Sequence, residues 1–130
     1  MANDLLKGKR GIIFGALNSQ SIAWKVAERA HEEGATFVLT NAPIAMRMGE
    51  INNLADATGS KIIPADATST EDLDNLVTQS MEILGGKIDF VLHSIGMSPN
   101  VRKKKHYTEN DYRFYSQTMD VSATSLHKTL

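Results

Sequence analysis

A glycine that ends an apolar run and a serine that opens an amphipathic one, Gly15 and Ser21, are separated by the polar loop Ala16-Leu17-Asn18-Ser19-Gln20. The chemistry this arrangement suits is anion binding. Glycine lets the backbone approach a pyrophosphate, and the unpaired N–H groups at a helix N-terminus point at its oxygens. The whole stretch runs from Arg10 through Gly11-Ile12-Ile13-Phe14 to Ile22-Ala23. It lacks the G-x-G-x-x-G spacing of the generic dinucleotide fingerprint, and its loop is longer. Taken alone, it fits a simple chain turn at Gly15 and a helix cap at Ser21 equally well.

Two further stretches of the same kind move the balance. Asp66 follows the apolar run Lys61-Ile62-Ile63-Pro64-Ala65, where a carboxylate can accept a hydrogen bond from an adenine amino group or help to cap the next helix. Ser94-Ile95-Gly96 follows Ile88-Asp89-Phe90-Val91-Leu92-His93, and Gly96 would permit close approach to a ribose or mark a turn. In open α/β sheets, ligands bind where such strand exits collect, at the point where strand order reverses. The coincidence of three exits carries the argument.

The other candidates are weaker. His93 lies in an apolar run and reads as a hydrogen-bonded core histidine. His31, His106 and His127 have no partner at metal-ligand spacing, so no metal is expected. The basic cluster Arg102-Lys103-Lys104-Lys105-His106 reads as a solvated loop, or else as a dock for an acidic partner or anionic substrate groups. Tyr112 and Tyr115 fit packing or subunit contact. Thr40-Asn41-Ala42-Pro43 holds no acidic residue to bind a ribose 2′-hydroxyl, and Arg47 follows, so NADH and NADPH both stay open.

The elements that must position these residues alternate. Ile22, Ala23, Val26, Ala27 and Ala30 recur at helical spacing from Ser21, and Gly34 stops that helix. Thr36-Phe37-Val38-Leu39-Thr40 is a second strand, and Ile44 to Thr58 a weaker helix closed by Gly59. Pro64 lacks an N–H, so the third strand is expected to lie at a sheet edge or to end there. Thr68 and Glu71 have the spacing of a capping box before a helix with Leu73, Leu76, Val77, Met81 and Leu84 on one face. After the fourth strand, a last helix is predicted from near Thr108, with Tyr112, Tyr115, Met119, Ala123, Leu126 and Leu130 on one face. This alternation predicts an α/β fold, a Rossmann-like doubly wound parallel sheet of about four strands.

Composition narrows the classes. A chain of 130 residues holds one domain at most, and 42% apolar with 22% charged residues is ordinary globular composition. A net charge of −1 gives no overall attraction to nucleic acid or membrane. No cysteine means no disulfide framework and no thiolate metal site, which fits a reducing compartment. No run is long enough to span a bilayer, so a cytoplasmic setting without nucleic-acid or membrane partners is expected. The fourth strand would lie at an apolar edge, where doubly wound sheets place a fifth and sixth strand. Residues 1–130 are therefore expected to be the N-terminal portion of a single NAD(P)-binding domain.

These residues carry a family resemblance. Gly15-Ala16, then Ser21-Ile22-Ala23, Asp66, and His93-Ser94-Ile95-Gly96 closely resemble bacterial enoyl-[acyl-carrier-protein] reductase of type II fatty acid synthesis, a branch of the short-chain dehydrogenase/reductase superfamily. The resemblance runs in register over essentially the whole chain. It implies NADH as cofactor, with NADPH not excluded, an enoyl-acyl-carrier-protein substrate, and a homo-oligomer when complete. It implies that Gly15, Ser21 and Ile22 contact the pyrophosphate and neighbouring ribose, that Asp66 and Ala67 hold the adenine, and that Ile95 lines the ribose pocket. Ser98 corresponds to a position that meets the enoyl substrate through its backbone. Ala42 departs from the family's adenine-side glutamine. The family's catalytic Tyr-x6-Lys pair is absent: the residues seven beyond Tyr107, Tyr112 and Tyr115 are Phe114, Met119 and Ser122. No catalytic residue is therefore assigned, and the chain alone is expected to be inactive. The competing readings are a carbonyl-reducing short-chain dehydrogenase and a non-catalytic nucleotide-binding module.

Overall fold

The computed structural model describes residues 3–97, 103–104, 106–109 and 111–130. Its elements are β1 (Arg10–Phe14), α1 (Ile22–Glu32), β2 (Thr36–Thr40), a 3-10 turn (Pro43–Met48), α2 (Ile51–Thr58), β3 (Lys61–Ile62) and α3 (Thr70–Leu84). After these come β4 (Phe90–His93), a short 3-10 turn (Tyr107–Glu109), α4 (Tyr112–Met119), a π-helical turn (Asp120–Thr124) and α5 (Ser125–Thr129). The strands form one sheet in the order β3-β2-β1-β4, and every pairing is parallel. The chain works outward from β1 to β3 and then returns to lay β4 on the other side of β1. Strand order therefore reverses between β1 and β4.

Both faces of the sheet are covered, as apolar parallel strands require. Ile13, Phe37 and Leu39 pack with Ala23, Trp24, Ala27, Leu54 and Ala55 of α1 and α2 on one face. Ile12, Phe14 and Val38 pack with Leu73 and Leu76 of α3 on the other. Gly11 makes the β1–β4 pairing possible. A Cβ there would overlap the Phe90 ring, which lies across β1 at that point.

Several elements differ from the periodicity. On α1 the buried stripe is Ala23, Trp24, Ala27 and Ala30, while Ile22 is 75% exposed and Val26 36%. The bulk of Trp24 against the sheet turns the other two apolar residues outward. Gly49, at φ 74°, splits the weak second helix into the 3-10 turn and α2. Beyond β3 the pairing continues only as single bonds, Ile63 N–H to the Leu39 carbonyl at 3.0 Å and Ala65 N–H to that of Asn41 at 3.1 Å, with Pro64 between them at the edge. The cap of α3 is Ser69, whose hydroxyl accepts from Asp72 N–H at 3.2 Å, one residue beyond the Thr68–Glu71 box expected. The last helical segment begins at Tyr112, capped by Asp111, and not near Thr108. Its apolar residues Tyr112, Tyr115, Met119, Leu126 and Leu130 are all exposed, and the buried side chain is Ser125. As expected, β4 lies at the sheet edge, with its side chains half-buried.

Gly11→Ala should lower stability by about 1–3 kcal/mol, the usual cost of forcing an extra carbon into a packed site. Urea unfolding measures it, and a midpoint equal to wild type would show that the Phe90 ring can move aside at no cost.

Candidate functional site

The loop after β1 folds around Ser21. Its Oγ accepts from the Leu17 and Asn18 N–H groups, each at 3.1 Å, and Asn18 Oδ1 accepts from Gln20 N–H at 2.9 Å. Ser21 stands at the N-cap of α1, yet its side chain caps none of the helix N–H groups. A hydroxyl that accepts twice still has its own proton to donate. The start of α1 thus combines an available O–H donor with first-turn N–H groups that no side chain caps, and its first turn holds no acidic residue. The starts of α3 and α4, by contrast, are capped by Ser69 and Asp111.

Gly15 has φ 96°, and a Cβ on it would overlap the Ser94 carbonyl oxygen and lie 3.2 Å from Ile95 Cγ2. The β1 and β4 exits are thus in direct contact. This also gives Gly15 a structural reason of its own, so replacement by a larger residue disturbs the fold as well as any phosphate approach.

Asn41 ties the remaining exits together. Its Nδ2 donates to the Ala16 carbonyl at 3.1 Å, and its own carbonyl accepts from Ala65 N–H at 3.1 Å. In the sequence the β2 exit stands out by its lack of an acid and by Ala42, not by Asn41. A polar amide directly after a buried strand was the signal that could have marked it. Asp66 is exposed and forms a tight turn, its Oδ1 accepting from Thr68 N–H at 2.9 Å and from Thr68 Oγ1 at 2.7 Å. These two Thr68 bonds, with Lys128 helping from further off, hold its carboxyl below the ordinary aspartate range. Asp66 does not cap α3; that role falls to Ser69, while Asp72 Oδ2 accepts from Asp66 N–H at 2.9 Å. Ala67 is buried and joins the α3-side core.

Gly15, Ser94 and Ile95 therefore meet at the carboxyl end of the sheet, with Ser21 and Ile22 at the helix start beyond the loop and Asp66 joined through Asn41. Ser98, the expected substrate contact, lies outside the described residues, as do Arg102 and Lys105 of the basic cluster. Lys103 stacks on the Phe114 ring, 4.7 Å from its centroid. His93 Nε2 is 2.7 Å from the buried Ser125 Oγ, the hydrogen-bonded histidine expected. No group of side chains able to hold a metal ion occurs among the described residues, and no described helix is long and apolar enough to cross a membrane. An open groove of about 550 Å³ runs along the outer side of α1 past Ser21, Ile22 and Val26, away from Asp66 and Ile95.

A four-stranded parallel sheet with its order reversed beside β1, wrapped by helices on both faces, defines a Rossmann-like α/β protein of the class that commonly binds dinucleotides. The family model for enoyl-(acyl carrier protein) reductase matches residues 15–130. The chain belongs to the enoyl-(acyl carrier protein) reductase family. Enoyl-[acyl-carrier-protein] reductase [NADH] 2 of Rhizobium meliloti is 33% identical over 95% of this chain and 46% of its own length. The NADH enoyl reductase FabI of Aquifex aeolicus is 32% identical over 94% of this chain and 45% of its own length. Among solved structures, a FabI–NADH complex from Alistipes finegoldii is 62% identical, with a TM-score of 0.94 over 97% of this chain and 44% of that one. A Bacillus cereus enoyl reductase with NADP+ is 27% identical, with a TM-score of 0.85 over 99% of this chain and 50% of that one. The chain thus spans under half the length of the curated relatives it matches.

The Asp66 turn gives a pH test. Its carboxyl is lowered on folding, so the hydrogen bonds to Thr68 contribute fully above the unfolded aspartate value of about 3.9 and are lost as pH falls through the lower folded value. Chemical-shift titration should show the Asp66 carboxyl and the Thr68 amide moving together, with a midpoint below 3.9. A midpoint at or above that value would refute the turn's stabilising role.

Proposed function

We propose that this chain supplies the dinucleotide-binding part of an NADH-dependent enoyl-acyl-carrier-protein reductase. The observation that carries the reading is the uncapped start of α1, placed one loop beyond Gly15 at the switch point of the sheet. Membership of the reductase family supplies the reaction. Ser21 and the first-turn N–H groups of α1 would hold the pyrophosphate, with Gly15 giving the backbone room and Ile22 beside it. Asp66 and Ala67 would hold the adenine, and Ile95 would line the ribose pocket. Ser98 is proposed as the substrate contact from the resemblance alone.

The cofactor, when bound, supplies hydride for reduction of the enoyl 2,3-double bond. The residues described in this chain bind and orient it. The groups that stabilise the developing enolate are proposed to lie outside residues 1–130. NADH is the proposed cofactor, since the relatives named for NADH include the Rhizobium and Aquifex enzymes. The complete protein is proposed to be cytoplasmic and a homo-oligomer whose subunit contacts cover the exposed apolar residues of α4 and α5.

The test compares the chain with the same chain extended by the rest of its reading frame. Fluorescence titration should show NADH binding by the extended protein, and crotonyl thioester should be reduced by that form alone. Reduction of an acetoacetyl thioester in place of the crotonyl one would favour a carbonyl reductase. Equal turnover by both forms would show that residues 1–130 contain a catalytic residue of their own.

A further inference from the structure

The helical segment from α4 through the π turn to α5 crosses the carboxyl end of the sheet and reaches both walls of the proposed cleft. Lys128 Nζ donates to the Thr68 carbonyl at 3.2 Å and pairs with Asp120 at 2.7 Å, close to the Asp66 turn. Ser125 donates to the Val121 carbonyl at 2.6 Å, and its Oγ lies 2.7 Å from His93 Nε2. Ser122 lies inside the π turn, a distortion that recurs at functional sites. Its Oγ accepts from Met97 N–H at 3.0 Å and donates to the Met97 carbonyl at 3.2 Å. One hydroxyl thus engages both backbone groups of a residue four positions past the end of β4. A neighbouring strand would do the same, but the β1–β4 pairing ends at Phe14 and His93. Gly96 rides over the contact, with 3.6 Å between its would-be Cβ and Ser122 Oγ.

From this we infer that Ser122 is a positioning residue for the cofactor cleft, fixing the Ser94–Met97 exit so that Ile95 presents a set wall. The inference rests on the β4 exit being one wall of the dinucleotide site, as proposed above. Ser122 touches neither cofactor nor reacting atoms; it acts through the backbone of Met97. Small displacements of a positioned wall are costly, because binding geometry tolerates errors of only about an ångström.

The test uses the complete protein carrying Ser122→Ala or Ser122→Thr. Three quantities are read: exchange of the 94–97 segment by mass spectrometry, the NADH Kd by fluorescence, and KM against kcat with crotonyl thioester. Ser122→Ala should speed exchange of that segment about tenfold and weaken NADH binding about tenfold, with the loss appearing in the KM for NADH more than in kcat. Ser122→Thr, which keeps the hydroxyl, should restore both to within about twofold of wild type. Faster exchange with unchanged NADH affinity would make the contact purely structural and overturn the inference, as would unchanged exchange. A wild-type protein that binds NADH but leaves the crotonyl thioester untouched would sink the enoyl reductase reading alone, while the exchange and Kd results would still decide the role of Ser122.

Discussion

The close seating of β4 against β1 is the constraint on which the rest depends. Two glycines allow it, one at each end of the contact. At Gly11 the Phe90 ring occupies the space a side chain would fill, and at Gly15 the Ser94 carbonyl does. Between them the ladder pairs Ile12 with Val91 and Ile13 with Leu92. Leu92 packs toward α1 and Val91 toward α3, so the same seating feeds both core faces. It also sets where strand order reverses, and so where a ligand crevice can open.

Electrostatics at the helix starts distinguishes α1 from α3 and α4. An α-helix carries partial positive charge at its N-terminus, which an anion or a capping acceptor offsets. At α3 Ser69 provides the acceptor and Glu71 and Asp72 the charge, and at α4 Asp111 provides both. At α1 neither is present, because the one suitable hydroxyl, Ser21, is turned back to fold the preceding loop. The start of α1 is left able to take an external anion.

Polar ties around the rim hold the exits in register. The apolar cores reach the exits only at Ala16, Ala65, Ala67 and Ile95, and the polar segments between these residues need ties of their own. Asn41 links the exits of β1, β2 and β3, and Ser122 and Lys128 carry the remaining ties across to β4 and to the Asp66 turn. Each joins a side chain to a backbone carbonyl or N–H, groups that need partners wherever they are shielded from water.

The sequence by itself determined the parallel α/β fold, the four strands, the edge positions of β3 and β4, and the three exits that gather at the carboxyl end. Local signals suffice for these, because apolar period, glycine stops and Pro64 act within one element. The family was legible too, in Gly15, Ser21, Asp66 and Ser94-Ile95-Gly96. Only the tertiary structure decided which face of α1 is buried, since a stripe containing Trp24 competes with one containing Ile22 and Val26 and the sheet selects between them. It also decided that Ser21 folds a loop and leaves its helix uncapped, and that Gly15 is required by Ser94. Asn41 reaches Ala16 and Ser122 reaches Met97, each 25 residues away in the chain, and Lys128 reaches Thr68, 60 away. No periodicity encodes contacts of that length; they exist because the sheet brings the exits of separate strands to one end.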